Sequence, residues 1–272
     1  MKISLIQMVS SHVLEDNLAQ ADRLLQAASR DGAELAVLPE YFCMMGHHDS
    51  DKLKIAERFG SGPIQNFLAE RARTLGLWLV AGTLPLACEE EDRVFNSTLV
   101  FNPNGEWVAR YDKIHLFRFD NGSESYDEAR VLRPGATPVH FDLPSRDGHV
   151  WRVGLSVCYD LRFPELYRAY ATLGADLLLV PSAFTHTTGH AHWEILLRAR
   201  AIENLAFVAA AAQGGDHTNG RSTWGQSMCV DPWGTVLNQL PAAPGVVSSD
   251  LLPDLLVQRR RQLPALSHRI LP

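Results

Sequence analysis

Several short runs of the sequence are apolar at almost every position, and this pattern constrains the fold more than any other feature. A strand that is exposed on one face alternates apolar and polar residues, whereas a strand covered on both faces is apolar throughout. Segments with apolar residues at helical spacing lie before the first of these runs, at 16–30, and between the first two, at 63–75. The chain therefore predicts an α/β fold with buried sheets. The runs are AELAVLP, LWLVAGT, WRVGLSVC, ADLLLVPS and LAFVAAAA.

The order of the predicted elements indicates one domain. WRVGLSVC, the helix PELYRAYATLG and ADLLLVPS follow one another as a right-handed β-α-β unit, and a further helix is predicted over 191–204. Hairpins are predicted to turn at Asn104-Gly105 and at 232–234. The sequence has no low-complexity linker, so residues 1–272 are predicted to form a single domain in which 120–130 is one long polar loop.

Composition and charge argue against several classes of protein. The formal net charge is −6, whereas a nucleic-acid-binding surface requires a basic patch, and we interpret the most basic run, 258–262, as a solvated helix face. No apolar stretch reaches the roughly 20 residues that span a bilayer. The initial MKISLIQM is predicted to be a strand rather than a signal peptide. The four cysteines lack zinc-site spacing, so no metal or cofactor is expected and a cytoplasmic location is predicted.

Three polar residues stand where apolar strands end. They are Glu40, Lys113 and Cys158. Ligands of open α/β sheets bind outside the carboxyl ends of the strands, so these side chains are candidates for one site. A buried structural thiol and two solvated loop residues are the alternative interpretation. In a shared site, Glu40 could take the Cys158 proton and return it to a leaving amine, while Lys113 and a backbone N–H after Cys158 stabilise a carbonyl oxyanion.

These residues lie in segments that resemble the nitrilase superfamily of carbon–nitrogen hydrolases, which use a Glu-Lys-Cys triad. The segments are LAVLPEYF, RYDKIHLF, GLSVCYDLRFPEL, VPSAFTHTTGHAHWEILLRARAIEN and VDPWGTVL, in the order of the family. The resemblance implies a four-layer αββα sandwich, a homodimer or larger homo-oligomer, and a second site glutamate. That glutamate is Glu128 by its offset from Pro134-Gly135, with Glu124 left open as the alternative.

The resemblance also implies a substrate class. The segment FTHTTGHAHWE and the later AAAAQGGDH are most similar to the branch that contains deaminated-glutathione amidase. This predicts hydrolysis of a small anionic 2-oxo acid amide, with deaminated glutathione giving 2-oxoglutarate and Cys-Gly. The alternative is an omega-amidase that cleaves 2-oxoglutaramate or another short amide. A more remote alternative is a non-catalytic protein in which Cys158 senses oxidants or supports an interaction surface.

Four residues are predicted to bind the substrate. Arg162 lies four residues past Cys158, and its guanidinium matches a carboxylate; the alternative is a structural ion pair with Asp160 or Glu165. Thr188 corresponds to a family position at the acid end of the substrate, and its alternative role is that of a turn hydroxyl. Tyr159 and Phe184 complete the predicted binding residues.

Overall fold

Residues 1–270, which the computed structural model describes, form eighteen strands and six α-helices. The helices are α1 (Leu14–Arg30), α2 (Asp51–Lys54), α3 (Pro63–Leu75), α4 (Pro164–Thr172), α5 (His186–Asn204) and α6 (Pro253–Gln262). Short 3-10 helices cover Glu128–Arg130, Cys158–Arg162 and Ala265–His268. The strands are β1 (Lys2–Gln7), β2 (Leu35–Val37), β3 (Trp78–Val80), β4 (Leu84–Ala87), β5 (Val94–Phe101), β6 (Trp107–Asp112), β7 (Arg118–Asp120), β8 (Ser125–Asp127), β9 (Leu132–Arg133), β10 (His140–Pro144), β11 (Val150–Leu155), β12 (Leu177–Leu179), β13 (Phe207–Ala210), β14 (Gly214–Asp216), β15 (Ser222–Trp224), β16 (Met228–Val230), β17 (Val236–Gln239) and β18 (Gly245–Asp250).

Most of the strands belong to two sheets. The first runs in the order β18-β1-β2-β3-β5-β4, and β6 and β9 also pair with β5. The second runs in the order β10-β11-β12-β13-β16-β17. Each sheet has a parallel centre, β1-β2-β3 in the first and β11-β12-β13 in the second. The strand pairs outside these centres are antiparallel except for β5–β9. The apolar runs of the sequence form these parallel centres because both of their faces are covered.

The alternation of side chains along the first sheet identifies the layers. Leu35 and Val37 of β2 pack into a core shared with the second sheet, whereas Ala36 points the other way, into a core shared with α1 and α3. On the far face of the second sheet, the Tyr170 ring of α4 packs so closely over Gly154 that a Cβ there would lie 2.8 Å from it. The result is the predicted αββα sandwich, with helices outside and two sheets face to face.

The start of one predicted helix and one predicted loop differ from the structure. Helix α5 begins at His186 rather than at 191, because the Thr185 hydroxyl accepts a hydrogen bond from Thr188 N and caps the helix earlier. The predicted polar loop at 120–130 is not a plain loop: it contains the end of the β7–β8 hairpin and a 3-10 turn. No helix within residues 1–270 combines the length and apolarity needed to cross a membrane.

Candidate active site

Glu40 lies in the loop after β2, almost completely buried, and both of its carboxylate oxygens are engaged. Oε1 accepts hydrogen bonds from Asn96 Nδ2 and Lys113 Nζ, each at 2.9 Å. Oε2 accepts from the backbone N–H of Ala183 at 2.9 Å. Burial raises the pKa of Glu40, which the Lys113 ammonium and a hydrogen bond from Cys158 partly offset. Glu40 is therefore a carboxylate of raised basicity next to a thiol.

Lys113 follows β6 and is fully buried between two carboxylates. Its ammonium lies 2.9 Å from Glu40 Oε1 and 2.8 Å from Glu128 Oε2. Burial alone would lower the pKa of Lys113, but the charges of Glu128 and Glu40 raise it well above its ordinary value. The side chain is thus a fixed positive charge in a place that water does not reach.

Glu128 lies against Lys113, and the other candidate glutamate lies elsewhere. Glu128 accepts hydrogen bonds from the Tyr41 hydroxyl at 2.8 Å and from Phe117 N at 2.7 Å, in addition to Lys113. Glu124 instead accepts from the Thr187 hydroxyl at 3.2 Å. Between the two alternatives left by the sequence, the geometry favours Glu128 as the second glutamate beside the lysine.

Cys158 occupies a sharp turn where the chain passes from β11 into a 3-10 helix. Its φ of +50° is in the left-handed region, which a residue with a side chain seldom adopts, and its N–H donates to Pro181 O at 2.9 Å. Burial raises the pKa of the Cys158 thiol well above its ordinary value, and the Glu40 charge adds to this, whereas Lys113 opposes it. At neutral pH the sulfur is therefore a thiol that needs a base.

The buried carboxylate of Asp160 holds this turn in place. Oδ1 accepts from the backbone N–H of His115 at 2.9 Å and contacts His115 Nδ1 at 2.7 Å. Oδ2 accepts from the Tyr111 hydroxyl at 2.6 Å and from Val157 N at 2.9 Å. One side chain thus ties the turn that carries Cys158 to the strand that leads to Lys113. The His115 ring also stacks on Phe163.

The four predicted substrate-binding residues line one cavity, which also contains Cys158. They are Arg162, Thr188, Tyr159 and Phe184. Arg162 forms an ion pair with neither Asp160 nor Glu165, and the Asp160 carboxylate faces the Cys158 turn instead. The Arg162 guanidinium lies over the rings of Tyr159 and Phe184. It also contacts His192 Nδ1 at 3.1 Å. Thr188 contacts the Thr185 hydroxyl at 2.9 Å. The Arg162 guanidinium, which has no carboxylate partner among the described residues, thus lines the same cavity as Cys158.

A second and larger cavity, about 570 Å³ including its open mouth, lies against the same cysteine. It shares Phe117, Ala183, Thr185 and Cys158 with the first. Its wall includes Glu40, Glu128 and Tyr41, together with Lys52, Asp49, Tyr126 and Arg221. Cys158 therefore stands where two cavities meet.

Sequence reasoning missed several of these residues. Tyr41 directly follows Glu40 in LPEYF, so its position was a usable signal. Asp160 also stood within a quoted motif, but only as a possible partner for Arg162. Lys52 and Arg221 gave no signal, since 169 positions separate them in the chain and only the fold brings both to one cavity.

Comparison with known proteins identifies the family. Residues 2–261 match the carbon-nitrogen hydrolase family model. The chain is 40% identical over 268 residues to a deaminated glutathione amidase of Synechocystis sp., covering 97% of this chain and 96% of that protein. It is 35% identical over 271 residues to omega-amidase NIT2 of Danio rerio, covering 98% and 94%. The crystal structure of the C. elegans NitFhit protein superposes on this chain with a TM-score of 0.90 at 35% sequence identity. The match covers 99% of this chain and 65% of the NitFhit chain. The chain belongs to the carbon-nitrogen hydrolase family.

Proposed function

We propose that this chain is a thiol amidase that cleaves the amide bond of a small 2-oxo acid amide through a thioester on Cys158. The observation that carries the proposal is the contact among three buried side chains: Lys113 Nζ lies 2.9 Å from Glu40 Oε1, and Glu40 accepts a hydrogen bond from Cys158, which lines both cavities. As the substrate we propose deaminated glutathione, which would yield 2-oxoglutarate and Cys-Gly. The 40% identity to a deaminated glutathione amidase over nearly the whole length of both chains supports this choice.

The first half of the reaction forms the acyl-enzyme. Glu40 takes the Cys158 proton as the sulfur attacks the amide carbonyl carbon, and the C–S bond forms while the carbonyl oxygen becomes an oxyanion. The Lys113 ammonium and the backbone N–H of Tyr159 stabilise that oxyanion. When the C–N bond breaks, the protonated Glu40 gives its proton to the leaving nitrogen, so the amine departs neutral and a thioester remains.

The second half returns the enzyme to its starting state. Glu40 takes a proton from a water molecule as the water oxygen attacks the thioester carbonyl carbon. Collapse of the intermediate breaks the C–S bond, releases the carboxylic acid and returns the proton from Glu40 to the sulfur. Burial raises the pKa of the Glu40 carboxyl, and this suits both steps, because a more basic carboxylate takes a proton more readily and holds it until it is passed on.

Glu128 acts in this proposal by positioning rather than by exchanging protons. Its carboxylate is occupied by the Tyr41 hydroxyl, the Phe117 N–H and the Lys113 ammonium. It keeps Lys113 charged and aimed at the oxyanion. Arg162 would hold the carboxylate of the 2-oxo acid end, with Thr188, Tyr159 and Phe184 around it.

An omega-amidase is the second candidate, since the chain is also 35% identical to omega-amidase NIT2. The same residues would then release ammonia from 2-oxoglutaramate. A redox sensor is disfavoured, because such a cysteine is exposed and has a low pKa, whereas Cys158 is buried with a raised one.

The proposal also includes a cytoplasmic location, a single domain and a homo-oligomeric state. The four cysteines, all within the described residues, are free, and this favours a reducing, cytoplasmic setting. The family model spans 2–261, which supports one domain over residues 1–272. Ile195 and Ile202 on α5 and Val257 on α6 expose 70%, 47% and 62% of their surface, which supports a homodimer or larger homo-oligomer.

Mass spectrometry tests the covalent step. Rapid acid quenching of the enzyme with deaminated glutathione should show a 2-oxoglutaryl adduct on the Cys158 peptide. Cys158→Ala should lose turnover and the adduct, while the control Cys229→Ala, which removes a buried thiol of the second sheet, should keep both if it folds. Full turnover by Cys158→Ala would refute the proposal.

A further inference from the structure

The larger cavity at Cys158 contains a buried ammonium that the reaction steps above do not use. Lys52 leaves only 11% of its side chain exposed. Among residues 1–270, the carboxylate oxygen in reach of its Nζ is Asp49 Oδ1 at 3.6 Å, which is too long for a good hydrogen bond. Burial lowers the pKa of Lys52, which Asp49 opposes. A buried cation without a close acceptor has unused binding capacity for an anion.

Arg221 adds a second cation to the same wall. Its Nη2 donates to Asp49 Oδ1 at 2.9 Å, and its guanidinium lies over the Tyr126 ring. Asp49 can neutralise only one of the two cations. The other carboxylates that act on Lys52 are Glu128 and Glu40, and both are already paired with Lys113. Asp127 also lines the cavity, but its carboxylate accepts from Ala129 N and faces Arg130. The part of the cavity wall that contains Lys52 and Arg221 is therefore suited to a single carboxylate.

Both cavities meet at Cys158, and each has a cation on its wall. A substrate whose amide carbon lies at the sulfur extends its acyl part into one cavity and its leaving amine into the other. With Arg162 assigned to the acyl carboxylate in the proposed function, the cations of the larger cavity face the leaving amine. In deaminated glutathione that amine is Cys-Gly, whose terminal carboxylate lies about 7 Å from the scissile nitrogen when extended.

We propose that Lys52 and Arg221 form a binding site for the carboxylate of the leaving amine, so that the enzyme selects amides of carboxylate-terminated amines over primary amides. This deepens the proposed function and rests on it. A primary amide releases ammonia and gains nothing from these cations.

Three substrates separate the contributions: deaminated glutathione, the same molecule with its C-terminal carboxylate converted to an amide, and 2-oxoglutaramate. Wild type should prefer the free acid over its C-terminal amide by about 10- to 100-fold in kcat/KM, the range for a hydrogen bond to a charged group. Lys52→Met and Arg221→Gln should each lose about tenfold or more on the free acid and stay within about threefold on the other two substrates. Lys54→Met, two residues along and exposed, is the matched control and should behave as wild type.

Each result has a definite meaning. Equal losses on all three substrates, or none, would overturn the leaving-group site while leaving the amidase intact. Wild type that cleaves none of the three would overturn the proposed function and the site with it. Retained turnover of 2-oxoglutaramate reports that a variant is folded. If both variants fail to fold, inhibition of wild type decides: Cys-Gly should inhibit about tenfold more strongly than cysteinylglycinamide, and equal inhibition would refute the site.

Discussion

Replacing Asp160 with asparagine tests how the fold holds the Cys158 turn. The two oxygens of Asp160 each accept two hydrogen bonds, and each receives one of them from a backbone N–H, of His115 or of Val157. Asparagine has the same shape, but its NH2 group must replace one of the oxygens. The Tyr111 hydroxyl or His115 Nδ1 can turn from donor to acceptor to meet that group, whereas a backbone N–H cannot.

The expected loss of stability follows from this geometry. In either orientation of the asparagine, one backbone donor is left unpaired inside the protein, which costs about 1–3 kcal/mol. The other three hydrogen bonds lose their ionic partner, which costs about 1 kcal/mol each. Removing a buried charge returns part of this sum, so we expect Asp160→Asn to lower the free energy of unfolding by about 2–4 kcal/mol.

Urea unfolding, with kcat/KM measured at a temperature where the variant is folded, provides the assay. A displaced turn should also reduce kcat/KM by about tenfold or more, since small misplacements of a nucleophile are costly. Asp142→Asn is the control: Asp142 is about half exposed and pairs with Arg152, so its loss should change stability by less than about 1 kcal/mol. If Asp160→Asn were as stable and as active as Asp142→Asn, the role assigned to Asp160 would be wrong.

Three further predictions concern the charged groups. Glu40→Gln should lower kcat by about 100- to 10,000-fold in steady-state assays, because it removes the base, and a loss below tenfold would contradict that role. In wild type, kcat/KM should rise with pH as Glu40 ionises. Because burial raises the pKa of Glu40, this rise should occur at a higher pH than the ionisation of an exposed glutamate. A midpoint of the rise at or below the pKa of exposed glutamates would contradict the prediction. Glu128→Gln removes a charge that raises the pKa of Lys113. Because the proposed mechanism needs the Lys113 ammonium, the variant should lose activity at a lower alkaline pH than wild type. An unchanged alkaline limb of the pH profile would argue against electrostatic coupling between Glu128 and Lys113.

Much of the fold and part of the candidate site could be predicted from the sequence. The apolar runs predicted an α/β fold with buried sheets, because such runs report burial on both faces. The four-layer sandwich and the family were also predicted correctly, but from the resemblance of the quoted segments, which occur in the order of the family. The helix predicted over 63–75 matches α3, in which Pro63 occupies the first turn and Gly76 follows the last residue. The start of α5 was missed because the capping Thr185 lies in a segment with few apolar residues.

The contacts of the site depended on coordinates. The placement of Glu128 rather than Glu124 against Lys113 follows from the course of the chain between β8 and β9, which a polar loop sequence does not specify. Lys52 and Arg221 belong to segments that are distant in sequence, so charge patterning along the chain gave no indication that they share a cavity. The catalytic roles assigned to the cluster remain predictions for the kinetic tests.

The left-handed backbone at Cys158 has a consequence for thermal stability. A side chain in that conformation costs about 1–2 kcal/mol, and only glycine escapes the penalty. Cys158→Gly should therefore melt at a higher temperature than Cys158→Ala in calorimetry, although we expect both to be inactive. The residue that we propose attacks the amide thus occupies a position where the backbone itself would favour having no side chain at all.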